Sequence, residues 1–304
     1  MTTSRKIHKT WKSKPTMEGA GVHLHRAFGS AHEAKLFDPF LLFDDFRSYK
    51  REHFIKGFPW HPHRGIETIT YVLNGDVEHG DSLKNKGVIG AGDVQWMTAG
   101  NGIIHQEMPK GDEKEQMEGF QLWANLPKSQ KMMDPRYRDI TSKQIPEVTL
   151  DDGVKIKVIC GKVADTSGPV TDIVIEPEYL DISMPANTVY VHPTTEGHTV
   201  FAYVFEGKCF FCGQTKAENY EQDSGSWWNR EAKPYADNRS LVLFTDGKEL
   251  RIETKEEPAR LLLVSGKPLN EPIAWYGPIV MNTQEELDTA FEEYRNGTFI
   301  KNQE

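Results

Sequence analysis

Short apolar or alternating runs dominate this chain, broken by Gly, Pro, Asn and Asp about every ten residues. That punctuation leaves little room for helices. It is the rhythm of an all-β sandwich or barrel, in which each strand buries one face and turns back. Residues 67–73, 94–98, 119–124, 154–160, 171–175, 199–205, 241–245 and 260–264 read as strands. Asn74-Gly75 after the first of them is a strong tight-turn signal. The stretch 125–137 (NLPKSQKMMDPRY) breaks the rhythm, and its Pro, Lys and Asp content reads as a linker. Beyond it the rhythm resumes. Residues 199–205 followed by Glu206-Gly207 parallel 67–73 followed by Asn74-Gly75, which suggests two related β-barrels in tandem. The expected division is 1–140 and 141–304.

One helix closes the chain. Thr283 suits its N-cap, and Glu286 three residues later makes a capping box. Leu287, Ala290, Phe291 and Tyr294 form one apolar stripe, and Gly297 ends it. The expected place for such a helix is over a barrel face.

Length and composition narrow the function classes. At 304 residues the chain makes one large or two ordinary domains. A net charge of −9 disfavours direct nucleic-acid binding, which needs a basic face. No segment is apolar for long enough to span a bilayer. The basic N-terminus lacks the apolar core of a secretory signal and reads as a solvated tail entering a first strand. Without such a signal, the acceptor patterns at Asn238 and Asn296 are chance matches. The three cysteines (Cys160, Cys209, Cys212) suggest a reducing compartment, hence the cytoplasm.

The chemistry concentrates in two short motifs. His61 and His63 stand one residue apart at the head of an apolar run, and His105 is followed by Glu107. Residues of equal parity share a face of a strand. On a regular strand His61, His63 and Glu67 therefore point one way, and His105 and Glu107 share a face of their own. Inward positions of a small barrel converge on its axis. The two pairs together bring three imidazoles and at least one carboxylate, Glu67 or Glu107, around one point. That donor set suits Fe, Mn, Ni, Cu or Zn. Four such ligands on an octahedral ion leave positions open for substrate or dioxygen. The second carboxylate is then free to hydrogen-bond a ligand. Gly57 and Pro62 shape the approach to the first pair, while Gly90, Gly92, Gly100 and Gly102 supply tight corners before the second. His23 and His25 have the same spacing but no His-x-Glu partner, and read as plain strand residues.

The segments FDPFLLFDDF (37–46), FPWHPHRGIETITYVLNG (58–75), GDVQWMTAGNGIIHQEMP (92–109), LWANLPKSQKMMDPRY (122–137) and YGPIVMN (276–282) together resemble the pirin family of the cupin superfamily over nearly the whole chain. The resemblance implies two facing cupin β-barrels (double-stranded β-helices) and one metal, usually Fe(2+), in the N-terminal barrel. Carried over by motif, the ligands are His61, His63, His105 and Glu107, and Glu67, the ligand position of the general cupin pattern, becomes a neighbour. Thr98 standing where Pro is usual, and the longer spacing to His105, are departures shared with pirins. In the second half His192 and His198 do not form a His-x-His and no histidine follows, so no complete site assembles there. Cys209 and Cys212 form a lone C-x-x-C, read as strand packing.

The resemblance further implies quercetin 2,3-dioxygenase chemistry on a flavonol, with Glu107 (or Glu67) as general base. Phe58, Trp60, Trp96, Met97, Met108 and Trp123 are candidates for an aromatic slot. The competing implication is a non-enzymatic, metal-dependent regulator that binds a transcription factor or a metabolic enzyme, nuclear in a eukaryotic source. A closed structural zinc site fits least, because such sites are usually rich in cysteine.

Overall fold

The computed structural model describes residues 4–213 and 233–301. It is mostly strand, and the chain divides into two compact units, each made of two segments. One unit holds residues 14–144 and 269–304, and the other holds 1–13 and 145–268.

In the first unit a seven-stranded sheet runs in the order Arg136–Ile140, Val94–Thr98, Ile66–Asn74, Glu118–Asn125, Phe40–Asp45, Val22–Phe28, Lys14–Glu18. A four-stranded sheet follows Phe58–His63, Ile103–Pro109, Val77–Asp81, Lys86–Ile89. The ladders are antiparallel. Leu24 and Val72 of the large sheet meet Val77 and Ile89 of the small one in a shared core. Full burial of each such side chain contributes about 1.5–3 kcal/mol.

The second unit repeats the plan. Its large sheet runs Ile7–Lys12, Ser240–Phe244, Thr199–Glu206, Ala259–Gly266, Glu178–Met184, Lys155–Cys160, Glu147–Thr149. Its small sheet includes Val189–Pro193, Glu249–Glu253, Lys208–Phe211 and Ala236–Asp237 in that order. Strand for strand the two orders match, as the repeated rhythm of the sequence suggests. Val200, Ala202 and Val204 of the large sheet pack with Leu250, Ile252 and Phe211 of the small one.

The boundaries differ from a single cut at 140/141. Residues 1–13 complete the second unit, because Ile7–Lys12 takes the sheet edge beside Ser240–Phe244. The closing helix, Gln284–Arg295, belongs to the first unit, where Leu287 and Ala290 pack with Ile279, Met281 and Phe299. Its capping box is present: Thr283 accepts from the Glu286 backbone and Glu286 accepts from the Thr283 backbone. The 125–137 stretch is no free linker. Lys131 within it is 1% exposed, and Arg136 begins a strand paired with Val94–Thr98.

Seven of the eight expected strands form in place. The exception is 171–175, which forms no ladder. Asp172 and Glu176 sit at φ 60° and 48°, a conformation no strand accommodates. Ile173 and Ile175 bury their side chains without pairing their backbones as strand. No helix among the described residues is long and apolar enough to cross a membrane.

Candidate metal centre

Phe58–His63 is the edge strand of its sheet, where Pro59 and Pro62 are tolerated because their missing N–H groups break no interior ladder. It pairs with Ile103–Pro109 so that His61 lies opposite His105. The register then slips, and Glu107 meets Phe58. Such an irregularity re-aims side chains. After His63 the chain turns at Gly65, φ 78°, where a Cβ would lie 2.0 Å from the Val280 carbonyl oxygen. Only glycine fits there.

These elements bring His61, His63 and His105 together, with one nitrogen of each inside a 4.8 Å cluster. Nε2 of His61 lies 3.1 Å from Nε2 of His63 and 2.9 Å from Nε2 of His105. Nδ1 of His61 donates to the Pro59 carbonyl at 2.9 Å, and Nδ1 of His63 to the Pro278 carbonyl at 3.1 Å. A carbonyl only accepts, so in both rings the proton sits on Nδ1. Burial lowers the pKa of all three histidines, those of His63 and His105 well below the ordinary value, and keeps the rings neutral. The Nε2 atoms of His61 and His63 therefore face each other as bare lone pairs. Converging lone pairs repel unless a cation lies among them, so these residues fit a metal ion.

Glu107 is buried beside them. Its Oε2 is 4.0 Å from Nε2 of His105, and its Oε1 accepts from the Thr70 hydroxyl at 3.1 Å. Burial pushes its pKa up to about 7, against the opposing pull of the Thr70 hydrogen bond. A bound cation would reverse that pressure and hold the carboxylate ionised.

Glu67 does not join them. The strand carrying His63 ends there, and a new one begins at Ile66 beyond the Gly65 corner, so parity does not carry across. Thr70 faces Glu107, and Glu67, of opposite parity on the same strand, accepts instead from the Thr98 hydroxyl at 2.6 Å. Burial raises its pKa.

His61, His63 and Glu107 line a cavity of about 650 Å³, with His105 buried behind them. Of the aromatic and Met residues expected in its wall, Phe58 and Trp123 line it, and Trp60, Trp96, Met97 and Met108 do not. Trp60 is half exposed, while Trp96 and Met97 are core. The other aromatic walls are Phe46, Phe54, Trp275 and Tyr276. Trp123 meets His63 edge-on at 5.1 Å and lies 6.3 Å from Trp275. Sequence reasoning did not place Trp275, Tyr276 or the Pro278 carbonyl in the site. They return to it after more than two hundred residues, and the YGPIVMN segment that holds two of them signals the family but not this contact.

In the second unit His192 stands opposite Leu250, and its neighbour Tyr190 opposite Ile252. Its Nδ1 contacts the Tyr190 hydroxyl at 2.9 Å and its Nε2 the Glu178 carboxylate at 3.3 Å, so both nitrogens have protein partners. Cys209 is buried in the core of that unit, Cys212 sits in a turn at φ 61°, and both thiols are free.

Residues 21–124 match the Pirin family model and residues 179–300 match the Pirin C-terminal cupin domain. The chain is 40% identical to a "Pirin-like protein" of Caulobacter vibrioides, over 97% of this chain and 99% of that one. It is also 40% identical to a Pseudomonas aeruginosa protein named "Putative quercetin 2,3-dioxygenase", over 98% and 99% of the two chains. The crystal structure of a quercetin 2,3-dioxygenase from Acinetobacter baumannii superposes with a TM-score of 0.82 at 31% identity, covering 98% of this chain and 99% of that one. With both halves matched in order and the likeness running end to end, the chain belongs to the pirin family and carries two cupin-type domains.

Proposed function

We propose that this protein is an iron-dependent dioxygenase that opens the central ring of a flavonol, with His61, His63, His105 and Glu107 as metal ligands and Glu107 as the general base. The observation that carries the reading is the convergence of the bare Nε2 lone pairs of His61 and His63, with Nε2 of His105 2.9 Å from the first, beside an aromatic-lined cavity. Ferrous iron held there supplies Lewis acidity to a bound 3-hydroxyl and a route for dioxygen. The rest falls to the chain. Trp123, Trp275 and Phe58 offer flat apolar surface to a planar ligand and keep water from the reacting ring. The Pro59 and Pro278 carbonyls lock the His61 and His63 rings in the tautomer that points Nε2 inward. Thr70 holds Oε1 of Glu107, so Oε2, on the His105 side, is the oxygen that would meet the ion through one lone pair and take the 3-hydroxyl proton through the other. The ring then takes up both atoms of dioxygen and loses carbon monoxide.

The test is loss of quercetin and release of carbon monoxide by the ferrous-loaded protein in air. His61→Ala should lose bound iron and turnover together. Glu107→Gln should lower turnover about 100-fold or more, the usual contribution of a positioned base. Turnover no faster than free iron, or turnover that survives His61→Ala, overturns the enzymatic reading. It leaves the regulatory one, which a pull-down dependent on iron oxidation state would then support.

A further inference from the structure

The inner face of the first unit's large sheet carries an unusual line of residues. Arg26 pairs with Asp44, Asp44 with Gln121, Gln121 with Thr70, Thr70 with Gln95, and Gln95 with Asp139. One transverse row across six strands is therefore polar throughout. Neighbouring inward positions such as Leu24, Val72 and Met97 are apolar. Polar side chains on a buried face are costly unless bonded, and these are. Arg26 grips Asp44 through two bonds of 2.8 and 2.7 Å and reaches Glu18 at 2.8 Å. Thr70 bonds Gln121 at 2.7 Å and Glu107 at 3.1 Å, and Gln95 bonds Asp139 at 3.0 Å.

Much of this row forms the wall of the histidine cavity. Glu18, Arg26, Asp44, Gln121, Thr70 and Glu107 all line it. Asp44 stands two strands from Thr70, about 10 Å at the usual strand spacing. The cavity thus has two polar ends, the histidines with Glu107 at one and the Glu18–Arg26–Asp44 cluster at the other, with aromatic walls between. A fused bicyclic aromatic with a pendant ring covers such a span.

The chemistry of the far end selects further. Asp44 and Glu18 accept, with lone pairs beyond those that Arg26 occupies, and the guanidinium has more N–H groups than its three bonds use. A phenolic hydroxyl both donates and accepts, so it satisfies both kinds of group. A carboxylate or phosphate would meet two acids for one base. We propose that Arg26, Asp44 and Glu18 form a specificity subsite that recognises neutral phenolic hydroxyls remote from the metal-side ring. The natural ligand class is then a polyhydroxylated planar aromatic rather than a bare or acidic one. This rests on the flavonol reading of the cavity and adds to it a residue-level basis for choice.

The test compares two probes that share the chelating 3-hydroxy-4-keto edge: quercetin, and 3-hydroxyflavone, which lacks the remote hydroxyls. Binding is followed by quenching of tryptophan fluorescence in ferrous-loaded protein without dioxygen, and again in metal-free protein. Quercetin should bind at least about tenfold more tightly in both forms, the scale of one hydrogen bond to a charged group. The double variant Arg26→Met/Asp44→Leu removes the buried pair and leaves only the partly exposed, solvated Glu18 carboxylate. It should bring the two affinities within about twofold, chiefly by weakening quercetin. Glu18 is exposed enough to be changed without risk to the fold, and Glu18→Gln should lower the preference about threefold. Equal affinities in the wild type, or a preference that survives the double variant, overturn the subsite and leave the flavonol reading standing. If neither probe binds, the flavonol reading itself falls, and the subsite with it.

Discussion

Lys131 shows how a single side chain outside the histidine cluster supports it. Its Nζ donates to Gly65 O at 2.8 Å, Asn125 Oδ1 at 2.6 Å and Val280 O at 3.0 Å. Gly65 lies two residues after His63, and Val280 two after Pro278, whose carbonyl orients His63. The amine thus ties together the two segments that set that ring. Burial lowers its pKa from 10.5 to about 7, opposed by Glu271 and Glu286. The unfolded chain therefore binds more protons than the folded one at pH values above about 7, and stability rises with pH through that window, less steeply the more the three accepting oxygens hold the ammonium form. Chemical denaturation of wild type and Lys131→Met at a series of pH values should show this slope in the first and not in the second. Titration with ferrous ion should find the variant's affinity about tenfold weaker, the scale of a lost supporting contact. The three histidines were legible because their spacing is local and their chemistry narrow. Lys131 was not: nothing in a lysine's sequence surroundings says that three carbonyl-type oxygens from distant segments will close on it. Thr70 and Gln121 were hidden for the same reason, since only the pairing register places them under Glu107.

At the level of elements, local signals succeeded where the structure is locally determined. The closing helix needed only its cap and its apolar stripe, and both are present. The parity argument failed at Glu67 because a corner intervenes. Gly65 makes that corner, and Gly65→Ala tests it. An alanine at positive φ costs about 1–2 kcal/mol before any clash. Here its Cβ would also press on the Val280 carbonyl. The melting temperature should fall by several degrees, and metal content should fall with it, since His63 hangs from the same turn. A variant that melts like wild type and binds a full complement of metal would show that the corner is softer than its geometry. The lost strand at 171–175 teaches the converse. Apolar residues at alternating positions satisfy the pattern, but two positive-φ residues keep the backbone from forming a ladder.

Across the whole molecule the sequence rhythm revealed two similar barrels but not how the chain ends are distributed between them. Each unit takes in one terminus: residues 1–13 join 145–268, and 269–304 join 14–144. The two deletions should therefore behave oppositely. Removing 269–304 takes away Trp275, Tyr276, the Pro278 carbonyl and the Glu293 partner of buried Arg64, and metal binding by titration should be lost. Removing 1–13 bares the Ser240–Phe244 edge. It should provoke aggregation through that unpaired strand while leaving the metal stoichiometry of the soluble fraction intact. The reverse pattern would refute the assignment of the ends.

The bond from His63 to the Pro278 carbonyl joins positions 215 residues apart. A ribosome adding about 5–20 residues per second needs roughly ten to forty seconds to travel between them. During that interval a nascent chain has exposed all of its imidazole donors but lacks the carbonyl that aims one of them. The aimed His63 ring is thus a late product of folding, and any ion that needs it in place would meet its full set of donors only after the segment carrying Pro278 has docked.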